Sequence, residues 1–198
     1  MRAPYYTPSG TPMFGELAGY ERQIDRIVGD AENLLAGLTD AQFNWRPAPS
    51  RWSIGENIDH LRAMSEQYIP AIDEAITAGQ ARSIYHEGPF RYGLLERYMA
   101  WSMEPPVRLR MKTSALVRPS SDLRVDEARA AFLLAQDRIR DRVRRANGLD
   151  LARVKVRSPL ASWLVLSLGK AFGIVLAHER RHLWQAKAVR RAEAFPRR

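Results

Sequence analysis

Apolar residues recur at steps of three and four along four long segments of this chain, which is the pattern of helices that each bury one face. The four apolar stripes lie within residues 17–38, 57–76, 125–143 and 164–189. Each is long enough for roughly five to seven helical turns, because an α-helix completes a turn every 3.6 residues. No segment alternates apolar and polar residues convincingly, so the pattern predicts an all-α protein, in which residues 107–117 could be extended.

Local signals predict where these helices begin and end. Residues 53–56, Ser-Ile-Gly-Glu, form a capping box, in which the serine side chain caps the backbone and the glutamate reaches back to it. The second long helix therefore begins there, and Gly79 is its expected stop. Asn147-Gly148 predicts the end of the third helix. The fourth begins somewhere between residues 159 and 168.

Four long amphipathic helices with one long middle connection fit a four-helix bundle. The connection spans residues 80–120, between the second and third long helices, and residues 90–101 are expected to add a short helix. A length of 198 residues fits one domain. We expect that domain to span residues 13–192, preceded by a flexible arm at residues 1–12 and followed by a loose basic tail at residues 193–198.

The net charge of +9 invites a nucleic-acid interpretation, since the chain has 31 Lys plus Arg against 22 Asp plus Glu. The arginines, however, are spread along the whole chain. The densest runs, residues 138–145 and 187–198, are predicted to be solvated helix faces. No motif combines aromatic and basic residues for base recognition, so we do not expect a nucleic-acid partner. Steep salt dependence of DNA affinity would be the mark of one.

The absence of cysteine excludes disulfides and thiolate ligands, so a metal site must use His, Asp, Glu or carbonyl oxygen. The first ten residues lack the apolar core of a signal peptide. Residues 159–177 are apolar enough to consider as a membrane span, but Lys170 interrupts them and no second candidate exists. A buried bundle helix explains this segment better. We expect a cytoplasmic protein with no membrane partner.

Two of the four histidines, His178 and His182, are four residues apart on the last predicted helix. That spacing places both imidazoles on one face, where they can hold a single ion. They also continue the apolar stripe, so they should point into the bundle. His60 lies near the inner face of the second helix. A lone buried histidine is more often a hydrogen-bonded core residue, but an i, i+4 pair with a third histidine favours an open three-histidine metal site.

A competing interpretation is the zinc-protease motif H-E-x-x-H, which residues 178–182 match with Glu179 as general base. The extended form of that motif fails, because Gln185 and Ala188 stand where Gly and His are required. Glu193 is the only carboxylate after His182 and lies near the chain end. We therefore expect Glu179 to be a surface or supporting residue, and keep it as a weak candidate for catalysis.

Three further residues are weaker candidates. Gln185 could be a hydrogen-bond partner of a metal ligand. Arg62 is close to His60 in sequence and could meet an anionic substrate. His86 lies in the predicted connection and could sit over the metal. For Arg62 and His86 the simpler alternative, a solvated side chain, stays open.

Two segments resemble a known family. Residues 52–61, Trp-Ser-Ile-Gly-Glu-Asn-Ile-Asp-His-Leu, resemble the W-S-[IV]-x-[EQ]-x-[ILV]-x-H-L segment of the DinB-like superfamily. Residues 178–186 are similar to its closing H-x-x-x-H-x-x-Q segment. The likeness, including the helix lengths and the long connection, covers most of residues 13–192.

The resemblance implies an up-up-down-down four-helix bundle, often dimeric, with a divalent zinc, nickel, iron or manganese ion on His60, His178 and His182. Characterised members include bacillithiol and mycothiol S-transferases and a thiol-dependent maleylpyruvate isomerase. The leading hypothesis is therefore a metal-dependent thiol S-transferase or hydrolase that acts on a small molecule with a low-molecular-weight thiol. The alternative is a non-catalytic metal-binding or stress-response bundle. In either case we expect a homodimer.

Overall fold

The protein is described from a computed structural model that covers residues 5–6, 12–13, 15–107 and 113–197. Within these residues the chain forms six α-helices and a 3₁₀ turn at Ala115–Val117. The helices are α1 (Gly15–Leu35), α2 (Asp40–Asn44), α3 (Ile54–Ala81), α4 (Leu94–Met103), α5 (Val125–Arg145) and α6 (Leu168–Arg190). The arm predicted at residues 1–12 falls mostly outside the described residues. In its described part, Tyr5–Tyr6 (β1) pairs antiparallel with Pro12–Met13 (β2).

The four long helices pack as a bundle around one core. Helix α3 packs against α5 and α6, and α1 packs against the same two helices. The largest fully buried side chains at their contacts are aromatic or branched, and include Ile24, Ile58, Phe132 and Phe172. The short helix α4, from the connection between α3 and α5, lies against α6. The predicted all-α four-helix bundle with a long crossover is confirmed.

Helix α3 begins where the capping box predicts but ends later than expected. The Ser53 hydroxyl accepts a hydrogen bond from the Glu56 amide at 3.0 Å, and Glu56 accepts one from the Ser53 amide at 2.9 Å. The prediction that Gly79 stops the helix is wrong, because α3 continues to Ala81. Gly79 instead leaves room for Val154, whose side chain packs against this part of the helix.

A small hairpin, missed in the sequence, precedes α6. Strand β3 (Lys155–Arg157) pairs antiparallel with β4 (Val165–Ser167), and Val156 lies opposite Leu166. Three-residue strands are too short to give a visible apolar–polar alternation, which is why the sequence did not indicate this hairpin. Strand β4 lies within the apolar segment at residues 159–177, so the helical part of that segment begins only at Leu168. No helix among the described residues is both long and apolar enough to span a bilayer.

The basic run at residues 138–145 holds helices together, whereas the sequence predicted a solvated face. The buried carboxylate of Glu21, on α1, pairs with Arg140 at 2.9 Å and with Arg144 at 2.7 Å. Asp73, on α3, pairs with Arg142 at 2.8 Å and Arg145 at 2.7 Å. Several of the positive charges that dominate the composition are therefore neutralised within the bundle.

The C-terminal tail, predicted to be loose, makes specific contacts in its described part. Phe195 is buried and its ring meets that of Trp45 edge to face, with centroids 5.6 Å apart. The Pro196 carbonyl accepts a hydrogen bond from the Gln42 side chain at 2.9 Å. A single aromatic residue gave no periodic signal in the sequence, but its burial ties the tail to the region of α2.

The close approach of Val154 predicts that Gly79→Ala is less stable than a matched glycine variant. A Cβ at position 79 would lie 2.8 Å from a Val154 methyl carbon, and overpacking of this kind costs about 1–3 kcal/mol. Gly29, in α1, has nothing within 4 Å of the same atom, so Gly29→Ala gains helix propensity of up to about 1 kcal/mol. Urea denaturation should place Gly79→Ala below Gly29→Ala by about 1–3 kcal/mol in free energy of unfolding.

The control removes the neighbour. In a Val154→Ala background, adding Gly79→Ala should no longer lower the free energy of unfolding, because both Val154 methyl groups are gone and the Leu149 methyl carbon, at 3.4 Å, is at ordinary contact distance. Equal free energies of unfolding for Gly79→Ala and Gly29→Ala in the otherwise unchanged protein would contradict the close approach.

Candidate metal centre

Three of the four histidines come together between α3 and α6. His60 lies in the second turn of α3, and His178 and His182 lie on α6. The Nε2 atoms of His60 and His178 are 3.4 Å apart. One ring nitrogen from each of the three histidines lies within 4.8 Å of the others. The structure thus assembles these residues into one group that could hold a metal ion.

The helix pattern explains why the histidines meet. On α6 they occupy the same stripe as Val175 and Ala186, which are buried at steps of three and four before and after them. This stripe faces α3, because α3 and α6 pack together. His60 and His182 are accordingly buried, whereas His178 is only part-buried. His178 is thus the most exposed of the three residues, although its ring is enclosed enough for burial to lower its pKa.

The proton on His60 is fixed by the crossover. Its Nδ1 atom lies 2.6 Å from the carbonyl oxygen of Val117, in the 3₁₀ turn. A carbonyl oxygen can only accept, so Nδ1 carries the hydrogen and Nε2 of the neutral ring has a free lone pair. The neighbouring Asp59 holds the same stretch of the crossover, since its carboxylate accepts a hydrogen bond from the Ser120 amide at 2.8 Å.

The proton on His182 is fixed by the start of α3. The Asn57 side-chain NH₂ donates to the Ser53 carbonyl oxygen at 2.8 Å, which determines the orientation of the amide. Its other end, Oδ1, therefore faces His182 Nδ1 at 3.0 Å. Because Oδ1 only accepts, His182 also carries its hydrogen on Nδ1 and has an unprotonated Nε2.

These proton positions fit a divalent metal ion. A neutral imidazole binds metal through its unprotonated nitrogen, and proteins orient such ligands through hydrogen bonds from the other nitrogen to an oxygen. Two nitrogens at 2.0–2.1 Å from one tetrahedral zinc ion would be about 3.3 Å apart. The 3.4 Å between the Nε2 atoms of His60 and His178 is close to that value.

The surroundings keep all three imidazoles neutral. Burial lowers the pKa of His60, although the Val117 carbonyl and the Asp59 carboxylate act in the opposite direction. Burial lowers the pKa of His178 to about 3, and the charge of Arg181, with that of His60 when it is protonated, acts in the same direction. Burial also lowers the pKa of His182 well below its usual value. Neutral imidazoles are the form that binds metal, so protons compete weakly for this site near neutral pH.

Trp52 covers one side of the cluster. This residue directly precedes the capping serine of α3, and its ring centroid lies 4.9 Å from that of His60 and 5.6 Å from that of His182. The indole is part-buried. It therefore shields two of the three imidazoles from water while leaving His178 outside its contacts.

Glu179 points to the interior of the bundle. Its Oε1 atom accepts hydrogen bonds from Gln136 of α5 at 2.8 Å and from Ser65 of α3 at 3.3 Å. Burial raises the pKa of Glu179 to about 7, although both hydrogen bonds favour the ionised form. The carboxyl group is thus held among three helices, and it does not belong to the histidine group.

Arg62 and Gln185 are not among the contacts of the cluster. Arg62 donates from Nε to Asp59 at 2.8 Å and from Nη1 to Glu66 at 2.5 Å, so two carboxylates neutralise its charge. Gln185 is part-buried, and among the described residues the partner of His182 Nδ1 is Asn57. The roles suggested for Arg62 and Gln185 stay predictions.

His86 lies apart from the other histidines in the connection after α3. It is exposed, its Nδ1 atom accepts a hydrogen bond from the Gly88 amide at 2.8 Å, and its ring meets Phe90 at a centroid distance of 6.0 Å. It is not a member of the histidine group. Its role in substrate binding stays a prediction.

Sequence reasoning missed three groups that support the cluster: Asn57, the Val117 carbonyl and Trp52. Asn57 had a usable signal, because it precedes His60 by three residues and so lies on the same face of α3. Trp52 belongs to the motif at residues 52–61, but nothing in the sequence indicated that its ring would cover the histidines. The Val117 carbonyl had no signal at all, since it is a backbone atom that the folded crossover brings to His60.

Comparison with known proteins identifies a family for most of the chain. A family model described as the DinB superfamily matches residues 23–186. No curated protein and no solved structure gives a significant match.

The hydrogen bond to His182 predicts that Asn57 controls metal affinity. Asn57→Ala removes the acceptor that fixes the imidazole, and loss of such a supporting group typically costs 10- to 100-fold in metal affinity. Asn57→Asp keeps an acceptor for Nδ1 but loses the donor to the Ser53 carbonyl, so its zinc affinity should lie between those of Asn57→Ala and the parent. Competition with a chromophoric zinc chelator measures both affinities.

Gln185→Ala is the control, because the sequence suggested Gln185 as a possible hydrogen-bond partner of a metal ligand. It should leave zinc affinity unchanged, and circular dichroism should show that all variants keep their helices. A normal affinity for Asn57→Ala together with a large loss for Gln185→Ala would reverse the assignment.

Proposed function

The chain belongs to the DinB superfamily, and on that basis we propose that it is a divalent-metal-dependent enzyme of the thiol S-transferase or hydrolase type. His60, His178 and His182 are the proposed metal ligands. The substrate is a small molecule, and a low-molecular-weight thiol or water is the second reactant.

The observation that supports this proposal most strongly is the pair of hydrogen bonds from imidazole Nδ1 atoms. His60 and His182 each donate to a fixed oxygen, which leaves Nε2 available in a buried cluster. An imidazole donor set suits zinc, nickel or iron, whereas manganese prefers oxygen ligands. Three protein ligands also leave coordination positions open, which is the arrangement of catalytic zinc sites.

The residues of the site each have a distinct part in this proposal. Val117 and Asn57 hold two imidazole rings in place, and the Trp52 ring excludes water from one side. When bound to three neutral imidazoles, a divalent ion supplies Lewis-acid activation of a thiol or water, because its charge lowers the pKa of that group. Since the three ligands are neutral, the site attracts an anionic reactant.

The zinc-protease alternative is less compatible with the geometry. That interpretation needs Glu179 beside the metal as a general base, but its Oε1 atom is hydrogen-bonded to Gln136 and Ser65. It also gives His60 no role, although His60 Nε2 lies 3.4 Å from His178 Nε2. We therefore assign Glu179 a structural role between α3, α5 and α6.

The three-histidine proposal predicts the metal content of a panel of alanine variants. His60→Ala, His178→Ala and His182→Ala should each bind zinc at least about 100-fold more weakly than the parent, because two remaining imidazoles cannot replace the lost ligand. His86→Ala, which changes an exposed histidine, should keep the parent's metal. Elemental analysis of protein purified without a nickel column measures the content directly.

Two outcomes of this panel would count against the proposal. Parent-like metal binding by His60→Ala, with loss in His178→Ala, would favour the protease motif. Wholesale unfolding of all three variants would point to a structural ion. An activity assay is needed as well. If the parent binds metal but neither joins an electrophile to a low-molecular-weight thiol nor hydrolyses a substrate, the result would support the alternative of a non-catalytic metal-binding bundle.

Three expectations from the sequence stay predictions beside this proposal. They are a homodimer, a cytoplasmic location, and the absence of nucleic-acid and membrane partners. The ion pairs from Glu21 and Asp73 to the arginines of α5 support the expectation about nucleic acid, because these charges stabilise the bundle itself.

A further inference from the structure

We propose that two copies of this chain associate through the outer side of α4 and the neighbouring part of the β3–β4 hairpin, as a symmetric dimer. We call this surface the α4 face, and it consists of six exposed apolar residues: Leu94, Leu95, Tyr98, Trp101, Trp163 and Val165. The proposal does not depend on the metal site, so it can fail while the proposed function stands.

Helix α4 exposes apolar side chains where a surface helix usually carries polar ones. Only one of its ten residues is buried, and its inner side packs against the core through three part-buried residues: Met99, Ala100 and Met103. On the outer side, Leu94, Tyr98 and Trp101 are spaced by four and three residues, so they form one stripe. Leu94 is 80% exposed, and the rings of Tyr98 and Trp101 lie 5.8 Å apart. An apolar stripe on the solvent side of a helix indicates a surface that contacts another molecule.

The β3–β4 hairpin adds to the same surface, because it is attached to the first turn of α4. The Ser167 amide, at the end of β4, donates a hydrogen bond to the Glu96 carboxylate at 2.5 Å. Val165 lies two residues before this contact and Trp163 precedes it in the hairpin loop. Both are exposed, and Trp163 reaches 80%. The hydrogen bond thus holds two exposed apolar segments, distant in sequence, close together.

The area of the α4 face is what one half of a stable dimer needs. Fully exposed aromatic side chains offer about 150–250 Å² each, so the exposed fractions of these six side chains amount to roughly 700–900 Å². Each partner in an interface of standard size buries about 800 Å². The largest apolar patch of a typical monomer is smaller, about 300–600 Å². Tyrosine and tryptophan are also the residues that most often dominate the binding energy of interfaces.

A second copy of the chain matches the α4 face by two-fold symmetry. If two α4 helices pack antiparallel with Tyr98 near the axis, Leu94 of each copy lies opposite Trp101 of the other, and the apolar stripe pairs with itself. The exposed Arg91, just before the start of α4, then comes to the C-terminal end of the second helix. That end carries the negative pole of the helix dipole, which favours a nearby cation.

Analytical ultracentrifugation of the full chain tests the proposal. The parent should sediment as a dimer at micromolar concentration. Leu94→Glu should raise the dimer dissociation constant at least about 100-fold, because a two-fold axis places the buried charge in the interface twice. Leu134→Glu is the matched control, since Leu134 is an exposed leucine of α5 outside the α4 face, and this variant should keep the parent's dissociation constant.

Cysteine cross-linking tests the position of the axis, because the chain has no cysteine of its own. Tyr98→Cys places one thiol on each copy near the proposed axis. Under mild oxidation it should form a disulfide-linked dimer at least about tenfold faster than Leu134→Cys, because association raises the effective concentration of the two thiols. Equal rates for the two variants would contradict the antiparallel arrangement.

Each remaining outcome either supports or overturns the proposal. A monomeric parent overturns it, and sedimentation of that monomer with phosphatidylglycerol vesicles would assign the α4 face to a lipid surface instead. A dimer that Leu94→Glu leaves intact also overturns it. Should Leu94→Glu lose its helices by circular dichroism, Trp163→Ser replaces it and should raise the dissociation constant at least about tenfold. The zinc content of folded variants should equal the parent's, which separates this test from that of the metal site.

Discussion

The hydrogen bonds that two imidazole Nδ1 atoms donate, one to Val117 and one to Asn57, determine which ring nitrogens of His60 and His182 have a free lone pair. Each bond holds a ring in one orientation and leaves its Nε2 atom unprotonated. Without them, three buried histidines would be adaptable core residues that could exchange hydrogen bonds with one another. With them, the lone pairs of His60 and His182 are available in a small buried space.

Both bonds depend on how α3 begins and how the crossover returns to it. Ser53 contributes twice, since its hydroxyl caps the helix and its carbonyl orients the Asn57 amide. Asp59 fixes the crossover near Val117 through the Ser120 amide. A local feature of the sequence, the capping box, is therefore coupled to the chemistry of a side chain on α6, more than a hundred residues away.

Much of this architecture could be predicted because it follows from periodicity. The four long helices and the convergence of His60, His178 and His182 reflect which residues share a helix face, and the start of α3 follows from its capping box. Periodicity could not predict the end of α3. In the sequence Gly79 resembles a helix stop, but in the structure it lies within the helix and leaves space for the Val154 side chain. Periodicity also could not assign the arginines of α5, whose partners Glu21 and Asp73 lie on other helices.

The supporting atoms of the site were hidden from sequence reasoning for a related reason. The orientation of the Asn57 amide depends on the Ser53 carbonyl, and the partner of His60 is a backbone oxygen. The sequence suggested Gln185 as a possible partner of a metal ligand, whereas the hydrogen-bond partner of His182 Nδ1 in the structure is Asn57. Tertiary contacts determine which nitrogen of His60 and of His182 carries the proton. Such contacts cannot be read from the amino-acid sequence alone.

The most direct test of the account is a crystal structure of the protein loaded with one equivalent of zinc, with data collected on both sides of the zinc absorption edge. The account predicts one anomalous peak about 2.0–2.1 Å from the Nε2 atoms of His60, His178 and His182, with the Nδ1 atoms of His60 and His182 still hydrogen-bonded to Val117 and Asn57. A peak bound by Glu179, or by His178 and His182 without His60, would contradict it.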